Sequence, residues 1–302
     1  MKRPYRTSPI ARRTPEQMAE LLGAILGEIE SEEGQMTIRH LFYRLANNVG
    51  IIPKTERAYK TLCGHLAKWR RSEEIPWDAF SDSTRWHIQP PTFDNPLDAW
   101  RRTCESYRRD LWATQDWYCE VWCEKDAISG IISRVTRSFG VPLFICRGFP
   151  SLSSMFSASQ TFRQVQDEGN KAVVIYHLAD YDPSGHAAAD AIENAFEDDF
   201  NVGVNFERIA ILPEHIEDFD LPTRPVKKST HAHSWEAGEG CVELDAMRPG
   251  DLRQLVEDAI TSRIDQREWK ALQRTERIER EAMEAMDLTR LLKTNGGKRK
   301  RA

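Results

Sequence analysis

The spacing of apolar and polar positions changes character near Asp116. Before it the periodicity is helical, and after it short apolar runs alternate with helical stretches. Met18, Leu21, Leu22, Ile25, Leu26 and Ile29 recur every three or four residues behind a Thr14-Pro15-Glu16 start, which predicts an amphipathic helix over Thr14 to Glu30. Thr37 caps a second helix, Ile38 to Asn47, with Ile38, Leu41, Phe42 and Leu45 on its apolar face. Thr55 caps a third, running to about Arg71. Ser72 to Asp116 is irregular, with one helix expected from Leu97 to Leu111. Beyond it, strands at Trp117 to Cys123, Pro142 to Cys146, Ala172 to Leu178 and Arg208 to Leu212 alternate with helices at Asp126 to Phe139, Ser151 to Gln166 and onward to about Phe200. That order predicts an α/β fold with a mainly parallel, doubly wound sheet. Leu221 to Glu239 reads as loop, Asp251 to about Lys293 as a long charged helix or pair packed on the sheet or on a second subunit, and the tail from Gly296 as disordered. Three domains follow: residues 1–115, 116–215 and a C-terminal extension, 216–302.

Candidate chemistry gathers at two places. Val173 to Leu178 is a buried strand, and it ends in Asp180 and Asp182 before Pro183 and Gly185 begin the next helix. Residues two apart in extended chain point the same way, so both carboxylates can face one hard cation, for which Mg²⁺ is the natural candidate. An isolated Asp-x-Asp-Pro-x-Gly is also a common polar turn. Right-handed crossovers bring the ends of the first and third strands to one edge, which adds Glu124 to the pair. The second place is the helix over Ile38 to Asn47, where Arg39 and Tyr43 stand four apart and share a face. By periodicity alone Tyr43 is equally a half-buried aromatic.

With 302 residues, 40% of them hydrophobic, the chain can bury one large core or two modest ones. No apolar run approaches a membrane span, and the N-terminus lacks the apolar core of a signal peptide, so a cytoplasmic protein is expected. The six cysteines are scattered and read as reduced thiols. The net charge of −5 does not advertise nucleic acid, but basic residues are locally dense. Lys2, Arg3, Arg6, Arg12 and Arg13 open the chain. Lys54, Arg57, Lys60, Lys68, Arg70 and Arg71 crowd the third helix with Glu56 between them. Such a helix is a solvated face or a phosphate-binding one, and three short helices in this order resemble a helix-turn-helix or winged-helix module. His231 and His233 lack a nearby third ligand.

Four ordered segments carry a family resemblance. Val121-Trp-Cys-Glu-Lys-Asp-Ala127, Gly148-Phe-Pro-Ser151 and Leu178-Ala-Asp-Tyr-Asp-Pro-Ser-Gly185 resemble the Toprim domain of the A subunit of DNA topoisomerase VI and its meiotic double-strand-break relatives. Thr37-Ile-Arg-His-Leu-Phe-Tyr43 is similar to the Thr-x-Arg-x-x-Tyr-Tyr segment of their winged-helix domain, with Phe42 in place of the first tyrosine. The similarity covers about Thr37 to Leu212 and is greatest to the stand-alone short form, Topo mini-A, of prokaryotes and mobile elements.

The resemblance implies that Tyr43 is a nucleophile giving a 5′-phosphotyrosyl link to double-stranded DNA. It implies that Arg39 stabilises the phosphate and that Glu124, Asp180 and Asp182 hold Mg²⁺ (or Mn²⁺). It further implies a homodimer in which one protomer's tyrosine works with its partner's Toprim metal, in a nucleoid-associated prokaryotic or phage setting. No ATPase domain is encoded here and no B-type partner is evident. Lys125, beside Glu124, is a phosphate contact or a surface lysine. Two other readings stay open: a metal-dependent hydrolytic nuclease in which Tyr43 is a bystander, and a dimer that grips or bends DNA without cutting it.

Overall fold

The computed structural model describes residues 13–32, 36–47, 49–80, 90–226 and 240–286. The N-terminal basic residues up to Arg12, the pair His231 and His233, and the tail from Gly296 lie outside them.

Helix α1 (Pro15–Glu30) opens on a capping box, in which Thr14 accepts from the Gln17 amide and the Gln17 side chain accepts from the Thr14 amide. Helices α2 (Ile38–Asn47) and α3 (Glu56–Arg71) start at the predicted caps Thr37 and Thr55. The three share a core of Leu21, Ile25, Leu41, Leu45, Leu62 and Leu66. Among the described residues this region has no paired strands to form a wing, only a bridge from Met36 to Phe80. Helix α4 (Pro96–Ser106) ends five residues before the expected Leu111, because Tyr107 and Arg109 turn away to bind Glu279.

The sheet is all parallel, in the order β2-β1-β3-β4: β2 is Leu143–Ile145, β1 Trp117–Cys123, β3 Ala172–Leu178 and β4 Asn205–Ala210. Alternate residues of β1 and β3 feed opposite layers, as the two-residue strand period requires. Cys119, Val121, Val174 and Tyr176 pack with α5 (Ser129–Phe139) and, later in the chain, α9 (Pro249–Thr261). Trp122, Val173 and Ile175 pack with α6 (Leu152–Gly169) and α7 (Pro183–Asn194). Helix α8 (Pro213–Asp218) follows β4. The charged C-terminal stretch is a pair of helices, with α9 on the sheet layer and α10 (Gln266–Glu284) clasping α4 through the Trp100 indole and Tyr107 hydroxyl. None of the described helices is long and apolar enough to cross a membrane.

Two features position the carboxyl end of the sheet. The β1–β3 register pairs Cys123 with Leu178, and the Glu124 amide extends that ladder to the Leu178 carbonyl at 2.9 Å. Glu124 and Asp180 therefore leave the sheet side by side. The return segment Gly240 to Met247 is then stitched across this end by antiparallel bridges, Tyr181 to Val242 and Arg224 to Cys241. Glycine at 185 is a steric requirement of the same turn, since a Cβ there would stand 2.3 Å from the Asp180 carbonyl oxygen.

Candidate functional site

The return segment brings Glu243 and Asp245 over the sheet end, and α2 packs against the short turn Leu244–Ala246 from the other side. The Tyr43 hydroxyl donates to Glu243 Oε2 at 2.5 Å, and Arg39 Nη2 donates to the same oxygen at 2.9 Å. Arg224 Nε lies 3.3 Å from Glu243 Oε1, and Lys125 Nζ lies 3.7 Å from Oε2. The ammonium of Lys54 sits 5.1 Å over the Tyr43 ring, a cation–π distance. Tyr43 itself is only 5% exposed, whereas the Arg39 side chain is 40% exposed and forms the solvent side of the cluster.

Lys125 is not a surface lysine: its side chain is 19% exposed and ion-paired within the protein. Its Nζ is 2.7 Å from Asp245 Oδ2 and 3.0 Å from Asp180 Oδ1. Burial works against the ammonium, but Asp245 and Asp180 outweigh it and hold its pKa above the ordinary lysine range. Tyr43 and Arg39 on α2 are thus linked to the end of the sheet through Glu243 and Lys125. A second buried tie, Arg44 to Glu28 and Glu32 and then Arg253 to Glu32, fixes α2 and α1 against α9.

The electrostatics place the proton firmly on the phenol. Burial, together with the hydrogen bond to Glu243, pushes the Tyr43 pKa above that of a free tyrosine. Burial raises Glu243, but the Tyr43 hydrogen bond, Lys125 and Arg39 outweigh it and hold the carboxyl at about 2. On the hidden side of α2, His40 faces Thr37 at 2.8 Å and burial lowers its pKa to about 4. It is a neutral, structural histidine.

Each of the three predicted metal carboxylates already has protein partners. Glu124 Oε2 accepts from the Asp180 amide at 3.2 Å. Asp180 Oδ1 accepts from Leu244 at 2.7 Å as well as from Lys125. Asp182 caps α7 through the Gly185 amide at 2.9 Å and meets Arg224 at 3.2 Å. Among the described residues no three His, Cys, Asp or Glu side chains converge on one point as a ready metal site. The donor chemistry at Glu124 nevertheless suits a hard cation. Burial, and after it the neighbouring charges of Asp180 and Asp182, push its pKa up. Of the three, Glu124 has only a backbone amide as its hydrogen-bond partner among the described residues, whereas Asp180 meets Lys125 and the Leu244 amide and Asp182 meets its cap and Arg224.

The basic residues of α3 divide into two groups. Arg57, Lys60, Lys68 and Arg71 are exposed, with Lys60 3.9 Å from Glu56. Arg70 is half-buried, donates to the Trp77 carbonyl at 2.7 Å and stacks over the Trp77 ring, which makes it a structural residue. Sequence reasoning missed Glu243, Asp245, Arg224 and Arg208. Arg208 reaches from β4 to the Asp180 carbonyl, and its Nε and Nη1 are buried without a hydrogen-bond partner. One signal did exist, for Val242-Glu-Leu-Asp245 repeats the alternation seen in Asp180-Tyr-Asp182. Compared with models of protein families, with characterised proteins and with solved structures, the chain matches none.

Proposed function

We propose that the chain breaks double-stranded DNA by transesterification through Tyr43, the position that its motifs match to the nucleophile of the topoisomerase VI A-subunit family, although Tyr43 here meets the sheet end of its own chain and not a partner's. The observation that carries this reading is the meeting of Tyr43 and Arg39 with Glu243 and Lys125, about 200 residues and 80 residues away, at the end of a parallel sheet where Glu124 and Asp180 lie side by side. A phenol ordinarily titrates near 10 and attacks phosphorus poorly, so its site must supply positive charge. Arg39, Lys54 and Arg224 supply it here. In the reaction a bond forms between the Tyr43 oxygen and phosphorus, the bond from phosphorus to the 3′ oxygen breaks, and the phenolic proton ends, in net, on that 3′ hydroxyl. A hard cation at Glu124 and Asp180 would offset charge on the departing oxygen. The exposed residues Arg57, Lys60, Lys68 and Arg71 would track the phosphate backbone. Two cuts, one per strand, call for a two-fold homodimer.

A second reading has its own support. Tyr43 is held as a neutral phenol and the three predicted metal carboxylates are each engaged within the protein, which suits a dimer that grips DNA without cutting it. The two part on one experiment, incubation of supercoiled plasmid with Mg²⁺ or Mn²⁺, quenching in detergent, and electrophoresis with and without protease. Nicked or linear DNA that is released by protease and lost in Tyr43→Phe supports the transesterase. Cutting that survives Tyr43→Phe points to a hydrolytic nuclease, and retardation without cutting to the gripping dimer.

A further inference from the structure

Three cationic side chains and one phenol converge on a single carboxylate, with a fourth cation over the phenol ring. Arg39, Arg224 and Lys125 lie 2.9, 3.3 and 3.7 Å from Glu243, the Tyr43 hydroxyl lies 2.5 Å from it, and Lys54 covers the Tyr43 ring. Lys125 is shared with Asp245 and Asp180, at 2.7 and 3.0 Å. Arg39 also lies 3.7 Å from Asp245, and Arg224 reaches Asp182, so the cations form a continuous wall rather than a set of private pairs. The arrangement has the donor set expected for a phosphodiester: two guanidiniums, an ammonium and a hydroxyl around one oxyanion.

We infer that this cluster is a phosphodiester-binding site and that Glu243 occupies it as an internal mimic of the phosphate. The inference rests on the transesterase reading for its purpose, but not for its test. When the Glu243 carboxylate leaves, an incoming phosphate meets Arg39, Arg224 and Lys125, and its phosphorus comes within reach of the Tyr43 oxygen. The exposed edge at Arg39 is the route by which a backbone phosphate enters. The exchange replaces one anion beside the phenol with another, but it frees the Tyr43 hydroxyl from the 2.5 Å hydrogen bond that ties it to its own chain. Displacement of Glu243 therefore couples DNA entry to release of the nucleophile. Without DNA, Tyr43 stays paired to its own chain and inert.

The test uses the full chain, with inorganic phosphate and a short blunt duplex as probes. Glu243→Gln keeps the side-chain shape but removes the competing charge. Thermal unfolding of Glu243→Gln should shift upward in millimolar phosphate while the parent protein shifts little. Duplex affinity, read by fluorescence anisotropy, should rise roughly tenfold, which corresponds to about 1.4 kcal/mol. Adding Arg224→Gln to that variant should abolish both gains. Should Glu243→Gln fail to fold by circular dichroism, Glu243→Asp, with its carboxylate drawn back by one methylene, should show the same gains at smaller size. An unchanged or weakened response to both probes overturns the proposal. So does loss of plasmid cleavage in Glu243→Gln with binding unaltered, since Glu243 would then be part of the cutting machinery. Failure of the transesterase reading looks different: the phosphate gain appears, yet no variant leaves protein on DNA.

Discussion

Removing the charge of Glu243 should cost stability in a pH-dependent way that identifies its surroundings. In the fold its carboxyl titrates at about 2 against an ordinary value of 4.5, because Tyr43, Lys125 and Arg39 favour the ionised form more than burial opposes it. A depressed carboxyl contributes stability that is present above the unfolded value and is lost as pH falls through the folded one. The window is therefore between about 4.5 and about 2. At 1.36 kcal/mol per pH unit, the gap amounts to ~3 kcal/mol, shared with the raised phenol of Tyr43 and not to be counted twice. The side chain is only 11% exposed, so solvent screening takes little of this away. The assay is urea unfolding of the parent protein and Glu243→Gln from about pH 7 down to about pH 2.5, comparing differences so that other titrating groups cancel. The parent should be more stable by ~3 kcal/mol at neutral pH, and the difference should shrink steadily below about pH 4.5. A difference that is flat across the range, or absent at pH 7, refutes the electrostatic account of the cluster.

Other perturbations separate the remaining parts of the site. Glu124 has the opposite sign: its raised pKa means that its ionised form costs stability at neutral pH, so Glu124→Gln should unfold at higher urea than the parent in chelator. Millimolar Mg²⁺ should stabilise the parent and leave Glu124→Gln unmoved; equal responses in both would remove Glu124 from the metal set. Gly185→Ala drives a Cβ to 2.3 Å from the Asp180 carbonyl and should cost ~2 kcal/mol or more by urea unfolding, with a loss under ~0.5 kcal/mol contradicting the turn geometry. Neutralising Arg57, Lys60 and Arg71 together should weaken duplex binding and flatten its salt dependence by up to ~0.9 for each phosphate left without its cation, without affecting unfolding. Arg70→Ala should instead destabilise the fold by removing the stacking on Trp77.

Much of the fold was legible because local patterns decide it. The caps Thr14, Thr37 and Thr55, and the strands from Trp117 and Ala172, sit where periodicity and turn residues place them. The last strand was displaced. The apolar run Ile209-Ala-Ile-Leu212 drew the expectation toward Arg208 to Leu212, whereas pairing to β3 selects the more polar Asn205–Ala210. At the site, Arg39 with Tyr43 and Glu124 with Asp180 were readable because helix spacing and strand order bring each pair together. The partners that complete it were not. Glu243 reaches Tyr43 across 200 residues and Leu244 reaches Asp180 across 64, pairings set by how the return segment crosses the sheet rather than by any local period. The same long-range pairing turned Lys125 inward to Asp180 and Asp245, where its position in the sequence suggested a phosphate contact or a surface lysine.

The proposed reaction leaves one covalent bond between Tyr43 and a DNA 5′ end. The direct measurement is to quench a cleavage reaction with denaturant, digest the DNA and the protein, and read the Tyr43 peptide by mass spectrometry. The account predicts that peptide carrying one or more nucleotides joined through a 5′ phosphate, in a reaction containing divalent cation. Cleaved DNA bearing a free 5′ phosphate beside an unmodified Tyr43 peptide would contradict it.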